Sequence, residues 1–346
     1  MRDTARRAFV ASLVVGSVVV GALALWKLKL LLVLLFLAFT IAAAMRPGVE
    51  ALSRRGVPRI AGILLHYLGI AALVALLLWL VIPRALHEVQ VALGSASRQG
   101  DVWEDALVGV RAWLERLPAI ESLVSPAVEI TVRAFEILVG IVFVLAAAAY
   151  WIYERDTVER LVLSVVPRER RRVVRDTWDL VDLKLGAYVR GQLLLILLVG
   201  TVLSACFWAI GLPYWLLLGA FAGVVELVPV IGPLTAGAFA VGVGLTESWQ
   251  LAVAAGFIVL VVRLLEDYLV IPRVLGHAVG LSSLLVLVSV AATAILFGGF
   301  AVLLAIPFAA VVATLVDVFV RNRDPAKEGV PTVIFPAKDA QAGSGE

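Results

Sequence analysis

A single cysteine, Cys206, stands in a chain of 346 residues, which excludes an intrachain disulfide framework and a thiolate metal cluster. The three histidines, His66, His87 and His277, are far apart and show no metal-ligand spacing. Charged residues make up only 16% of the chain, where a soluble domain carries roughly a quarter. No Walker loop, His-Glu-x-x-His or Gly-x-Ser-x-Gly element appears, so the sequence offers no machinery for ATP-driven or hydrolytic chemistry. The reading is a non-enzyme that needs no cofactor and no metal. The net charge of +3 is small, and the arginines gather beside apolar blocks. That pattern fits membrane topology and argues against nucleic acid as a partner.

What is abundant is apolar sequence. Hydrophobic residues reach 62% and the mean hydropathy is +1.04. They come in blocks, and about 20 consecutive apolar residues suffice for a helix to cross a bilayer. Spans are predicted over 8–26, 30–45, 60–82, 137–153, 192–211, 249–271, 281–297 and 300–320. The basic residues Arg2, Arg6 and Arg7 before the first run resemble the start of a signal peptide. The run is longer than such a core and lacks a clear small-residue cleavage site, so a retained helix is the better reading. A basic loop is expected from Arg46-Pro47 to Arg59, and Pro83 is expected to close the third span.

The predicted class is an all-α, polytopic transmembrane bundle of about eight spans plus a broken hairpin. Residues 1–83 form N-terminal transmembrane helices, and 84–136, net acidic, reads as an extracytoplasmic amphipathic segment. Residues 137–320 form the transport region, with a cytoplasmic helical stretch over 154–190 that leads into the fifth span. A polar tail without a core of its own covers 321–346. The positive-inside rule puts both termini in the cytoplasm of a multi-pass inner-membrane protein. Lys27 and Lys29, in a short outside turn, are the one discordance. Trp79, Tyr150, Trp151 and Trp249 stand at span ends, as an aromatic belt requires.

Residues 213–228 and 233–245 are apolar but too short to span. Between them lies Glu226-Leu227-Val228-Pro229-Val230-Ile231-Gly232-Pro233, which cannot continue one straight helix. A helical hairpin with a broken tip is expected, and such backbone is tolerated at membrane depth only inside protein or beside a water-filled cavity. Ionisable residues at that depth are functional candidates. Glu226, with the backbone freed around Pro229, Gly232 and Pro233, is a candidate site for a cation, a proton or a polar solute. Its bland alternative is an ion pair with an arginine. Arg263 stands at i, i+3 and i, i+4 from Glu266 and Asp267, so it can pair with either acid on one helix face. The alternative there is an interfacial ion pair closing the helix. Arg190 reads mainly as a positive-inside anchor, and Gln192 as a hydrogen-bond donor into a cavity. Asp317 reads as a helix-end residue, His66 as interfacial and His277 as a loop residue.

Taken in order, several of these stretches resemble the AI-2E (autoinducer-2 exporter) family of permeases. They are Arg46-Pro47 through Gly56-Val57-Pro58-Arg59, Gly186-Ala187-Tyr188-Val189-Arg190-Gly191-Gln192 and Gly211-Leu212-Pro213-Tyr214. Glu226 to Pro233, Leu265-Glu266-Asp267-Tyr268-Leu269-Val270-Ile271-Pro272-Arg273 and 303–307 follow. The stretches Glu226–Pro233 and Glu266–Arg273 are the specific ones. His277-Ala278-Val279 departs from the more polar residue common at that place in the family. The resemblance implies an oligomeric inner-membrane transporter, with members associated with export of autoinducer-2 and some with sodium or lithium/proton exchange.

Three readings follow. The first is a secondary transporter exporting a small polar solute such as a quorum-sensing signal. The second is a sodium(lithium)/proton antiporter using Glu226, Glu266 or Asp267. The third is a non-transporting membrane scaffold that docks a partner on 84–136. Its partners would otherwise be the lipid bilayer, the solute or monovalent cation, and further copies of the chain.

Overall fold

The computed structural model describes residues 2–96, 121–228, 231–271 and 282–328. Every regular element among them is helical. In chain order they are α1 (Arg2–Lys27), α2 (Lys29–Arg54), α3 (Arg59–Ala96), α4 (Glu121–Val165) and α5 (Arg171–Ala209). Then come α6 (Trp215–Val225), α7 (Ile231–Glu247), α8 (Trp249–Leu265), α9 (Ser283–Phe297) and α10 (Ala305–Phe319). Among the described residues five stretches are long and apolar enough to cross a membrane: Lys29–Arg54, Arg59–Pro83, Val132–Val165, Arg168–Ala209 and Gly299–Phe319. Shorter apolar helices supply the rest, and α6 and α7 form the expected hairpin.

Several boundaries differ from the sequence reading. Pro47 does not open a loop; it lies inside α2, which runs on to Arg54. One lost backbone bond is outweighed there by packing, because Gly48 and Val49 are buried against α3 and α4. The turn is confined to 55–58. Pro83 likewise lies inside α3 and does not end it. The described parts of 84–136 are continuations of α3 and α4, so the span helices run on into that segment; its residues 97–120 lie outside the described residues. The helix predicted ahead of the fifth span is present, and α5 is one unbroken rod. Pro307 sits in the first turn of α10, where a missing N–H is harmless.

Two helices organise the packing. Helix α2 buries Ala38, Ala42, Met45 and Val49 against Ile63 of α3 and Val144, Ala148 and Ile152 of α4. Its other side, through Ala43, meets Val181 and Leu185 of α5. Helix α5 then buries Val199, Leu203 and Phe207 against Ala222 of α6, Ala236 and Ala240 of α7, and Ala255 and Val262 of α8. Outward faces stay apolar, as at Trp79, Tyr150 and Trp249, which is what a lipid solvent permits. Trp151 departs from the predicted belt. It packs inward, edge-on to Phe39 and stacked 5.8 Å from Trp178.

The contact between α5 and α6 is made by small residues, as helix pairs in lipid require for close approach. A Cβ placed on Gly223 would stand 2.6 Å from the Ile196 carbonyl oxygen, and one on Gly219 would meet the Ser204 backbone at a similar range. The tail is not wholly without packing. Lys184, buried on α5, donates to Thr314 Oγ1 at 3.2 Å and pairs with Glu328 at 2.9 Å. A buried ammonium needs a counter-charge, and the turn Pro325–Lys327 brings the acid to it.

Overpacking of this kind costs about 1–3 kcal/mol. Gly223→Val is therefore expected to lower the thermal unfolding midpoint of the detergent-solubilised protein. Gly140→Val, where a side chain meets only open space, is expected to leave it unchanged.

Candidate functional site

Helix α6 has 11 residues, so at 1.5 Å per residue it is about 16 Å long and cannot span a bilayer. It ends at Glu226. The next two amides turn back three residues, Leu227 N to Val224 O at 3.2 Å and Val228 N to Val225 O at 3.0 Å. The chain re-enters helix at Ile231, with Gly232 N bonded to Val228 O at 2.8 Å. Gly232 sits so close to the Val225 carbonyl that any side chain there would clash. Pro233 occupies the first turn of α7, where it costs no hydrogen bond. Pro229 lies outside the described residues, as do Pro272, Arg273 and His277.

Two neighbours hold the tip. Gln192 of α5 donates its side-chain N–H to the Glu226 carbonyl oxygen at 3.0 Å. Gln192 thus satisfies the broken backbone and ties hairpin to rod. Arg263 of α8 donates Nη1 to Glu226 Oε1 at 3.0 Å. The same nitrogen reaches Glu266 Oε2 at 3.2 Å, and Nη2 reaches Asp267 Oδ1 at 2.9 Å. One guanidinium therefore faces three carboxylates. Glu226 and Glu266 are 6% and 2% exposed, whereas the Asp267 side chain is 40% exposed. Glu266 Oε1 is buried with no hydrogen-bond partner among the described residues.

The backbone under Glu266 is irregular as well. From Glu266 to Val270 the helix widens to a π turn, with Ile271 N–H reaching back five residues to Glu266 O. Such turns commonly mark functional positions because they re-aim side chains. The mutual arrangement of Glu226, Arg263, Glu266 and Asp267 joins the two clusters that the sequence presented separately. Arg190 stands apart: its Nη1 donates to the Ala44 carbonyl of α2 at 3.1 Å. Asp317 pairs with Arg321 at 2.9 Å beyond the end of α10.

A second polar layer was not singled out from the sequence. Asp182 of α5, 5% exposed, accepts from Arg46 Nη1 and Arg155 Nε, each at 2.9 Å. Arg155 also bonds Asp179 and, at 3.0 Å, Glu159. Asp182 Oδ1 and Trp178 Nε1 have no partner among the described residues. A signal was present: Asp182, Leu185, Tyr188, Gln192, Leu195 and Val199 recur at helical spacing on the buried stripe of α5. A carboxylate and an amide in that stripe mark both polar layers. Ten residues separate Asp182 from Gln192, about 15 Å along the rod. Among the described residues no group of three or more His, Cys, Asp or Glu is arranged to hold a metal ion.

This is a multi-pass, all-α bundle of membrane type, with a broken hairpin whose tip is tied to α5 and α8. The chain belongs to the AI-2E transporter family, whose profile it matches over residues 15–321. It is similar to three proteins whose names assign them to transport. MT0215 of Mycobacterium tuberculosis (strain CDC 1551 / Oshkosh) is 27% identical over 322 residues, 89% of this chain and 88% of that protein. YrrI of Bacillus subtilis (strain 168) is 28% identical over 178 residues, 50% of this chain and 49% of that protein. YueF of the same organism is 28% identical over 206 residues, 58% and 54%. The match thus spans about half the length of the two Bacillus proteins.

Removing one partner of a buried ion pair leaves the other charge uncompensated, typically at a cost of about 3–5 kcal/mol. Arg263→Gln is expected to lower the unfolding midpoint sharply. Adding Glu226→Gln and Glu266→Gln to that variant is expected to restore much of the loss, because the uncompensated carboxylates are then gone.

Proposed function

We propose that this protein is a secondary transporter that exports a small polar solute and couples that movement to a proton or monovalent cation at the Glu226–Glu266 pair. The observation that carries the reading is the buried, unpartnered Glu266 Oε1 beside Glu226, with a single guanidinium between the two carboxylates. Two buried carboxylates opposite one arginine leave one negative charge over. A shared proton or a bound sodium or lithium ion cancels it, and exchanging one for the other is an antiport step. Asp267, open to solvent, takes no part in that exchange. The solute binds beside the interruption between α6 and α7, as at the discontinuous helices of secondary transporters.

A sodium(lithium)/proton antiporter without a solute uses the same pair, and the same unpartnered oxygen supports it. A small polar quorum-sensing signal is the solute class favoured by the family resemblance. An inner-membrane location, both termini in the cytoplasm, and a homo-oligomer belong to this reading. A pure scaffold gains nothing from a buried acid pair and a broken hairpin, and predicts that Glu226→Gln is silent.

The test uses purified protein in vesicles holding a pH-sensitive dye. Imposed sodium or lithium gradients are expected to drive proton movement in the wild type. Glu226→Gln and Glu266→Gln should reduce it to the level of empty vesicles, and Asp267→Asn should retain most of it. Inserted, folded wild type with no cation-dependent proton movement contradicts the coupling and sends the assay to autoinducer-2 and related small polar molecules.

A further inference from the structure

A cavity of about 300 Å³ lies away from the hairpin, where the end of α2, the start of α3 and the middle of α4 converge. Its wall carries Arg46, Arg54, Arg59 and Arg155 against two carboxylates, Glu50 and Asp156. The four arginines are not equivalent. Arg155 is fully engaged, with Nε, Nη1 and Nη2 bonded to Asp182, Glu159 and Asp179. Arg46 gives Nε to Glu50 at 2.7 Å and Nη1 to Asp182 at 2.9 Å. These two form a fixed wall; of the acids that balance them, Asp182, Asp179 and Glu159 lie outside the cavity lining and Glu50, paired with Arg46, is part of it.

Arg54 and Arg59 differ. Arg54 has no ion pair among the described residues, and Arg59 stands 3.6 Å from Asp156, beyond hydrogen-bond range for a strong contact. Both guanidinium groups therefore hold donors toward the opening. Arg59 also begins α3, whose first turn contains no acidic residue, so the positive end of that helix adds to the field. Guanidinium forks in a concave site match the oxygens of an anion such as phosphate and disfavour an apolar ligand or a cation.

The rim indicates where a phosphate would come from. Ile60, next to Arg59, is 62% exposed, and Leu64 one turn on is 55% exposed. Tyr153, two residues before Arg155, is 58% exposed. Apolar outward faces on α3 and α4 thus meet the cavity mouth, where acyl chains would lie. We infer that the cavity bounded by Arg46, Arg54, Arg59 and Arg155 binds a phosphate group, supplied by the headgroup of an anionic phospholipid at the membrane face. Arg54 and Arg59 hold its oxygens, and Arg46 and Arg155 shape the floor. The site is separate from the Glu226–Glu266 pair and does not depend on the coupling proposed there.

The test is lipid binding to delipidated full-length protein in detergent, read by native mass spectrometry and by the shift in unfolding midpoint. Phosphatidylglycerol is compared with phosphatidylcholine, and inorganic phosphate is titrated separately. Wild type is expected to retain phosphatidylglycerol in preference to phosphatidylcholine. Arg54→Gln with Arg59→Gln should weaken that binding about tenfold or more, the effect of losing charge-assisted hydrogen bonds. Arg168→Gln with Arg172→Gln, exposed and outside the cavity, removes the same charge and should leave binding intact. Neither Arg54 nor Arg59 holds a buried partner, so the double variant keeps its lipid-free unfolding midpoint. Saturable, Arg54- and Arg59-dependent binding of inorganic phosphate alone supports the phosphate site and assigns it to a soluble ligand. Binding equal in the two double variants, or no binding of either probe, overturns the inference.

Discussion

Among the described residues, Arg263 is the positive charge within hydrogen-bonding reach of Glu226, Glu266 and Asp267. Its position fixes much of what surrounds it. A short helix that stops inside the bundle leaves backbone groups without partners, and one carboxylate at its end needs a counter-charge. Arg263 supplies the charge from α8, and Gln192 supplies a donor for the carbonyl from α5. The tip is thereby tied to two different helices. Because Glu266 is drawn to the same guanidinium, a second acid is buried beside the first. The exchange of a proton for a cation proposed above rests on the surplus negative charge that results.

The long rod α5 connects this tip to a second polar layer. Its buried stripe carries Asp182 at one level and Gln192 about 15 Å further along. Asp182 locks α2 to α4 through Arg46 and Arg155, while Gln192 grips the hairpin. A shift of α5 relative to α2 would strain the first contact, and a shift relative to α6 the second. Close glycine packing at Gly219 and Gly223 brings the backbones of α5 and α6 into contact.

The bundle architecture was legible because apolar blocks of spanning length have few other uses. The hairpin was legible because Pro229, Gly232 and Pro233 forbid a continuous helix between two short apolar runs. Boundaries were less so: Pro47 and Pro83 read as breaks, yet both lie within helices, Pro47 beside the buried Gly48 and Val49. At the site, sequence spacing gave the pairing of Arg263 with Glu266 and Asp267, which is local. It did not give the contact of Glu226 with Arg263, 37 residues away, since that depends on how α6 and α8 cross. The Asp182 layer was passed over because charges at 154–190 were read as a solvated cytoplasmic face. Depth along α5, not charge density, separates Asp182 and Lys184, within the largely buried stretch 180–188, from exposed residues nearer its start such as Arg172 and Arg175.

In the proposed coupling, Glu226 and Glu266 together hold one exchangeable proton in competition with a monovalent cation. Infrared difference spectroscopy on the lipid-reconstituted protein reads it directly. Sodium or lithium is added to the wild type, Glu226→Gln and Glu266→Gln, and the stretch of a protonated carboxyl group is followed. Loss of that band is expected in the wild type as the cation binds, with no such change in either variant. An unchanged carboxyl region in the wild type, or the same loss in all three proteins, contradicts it.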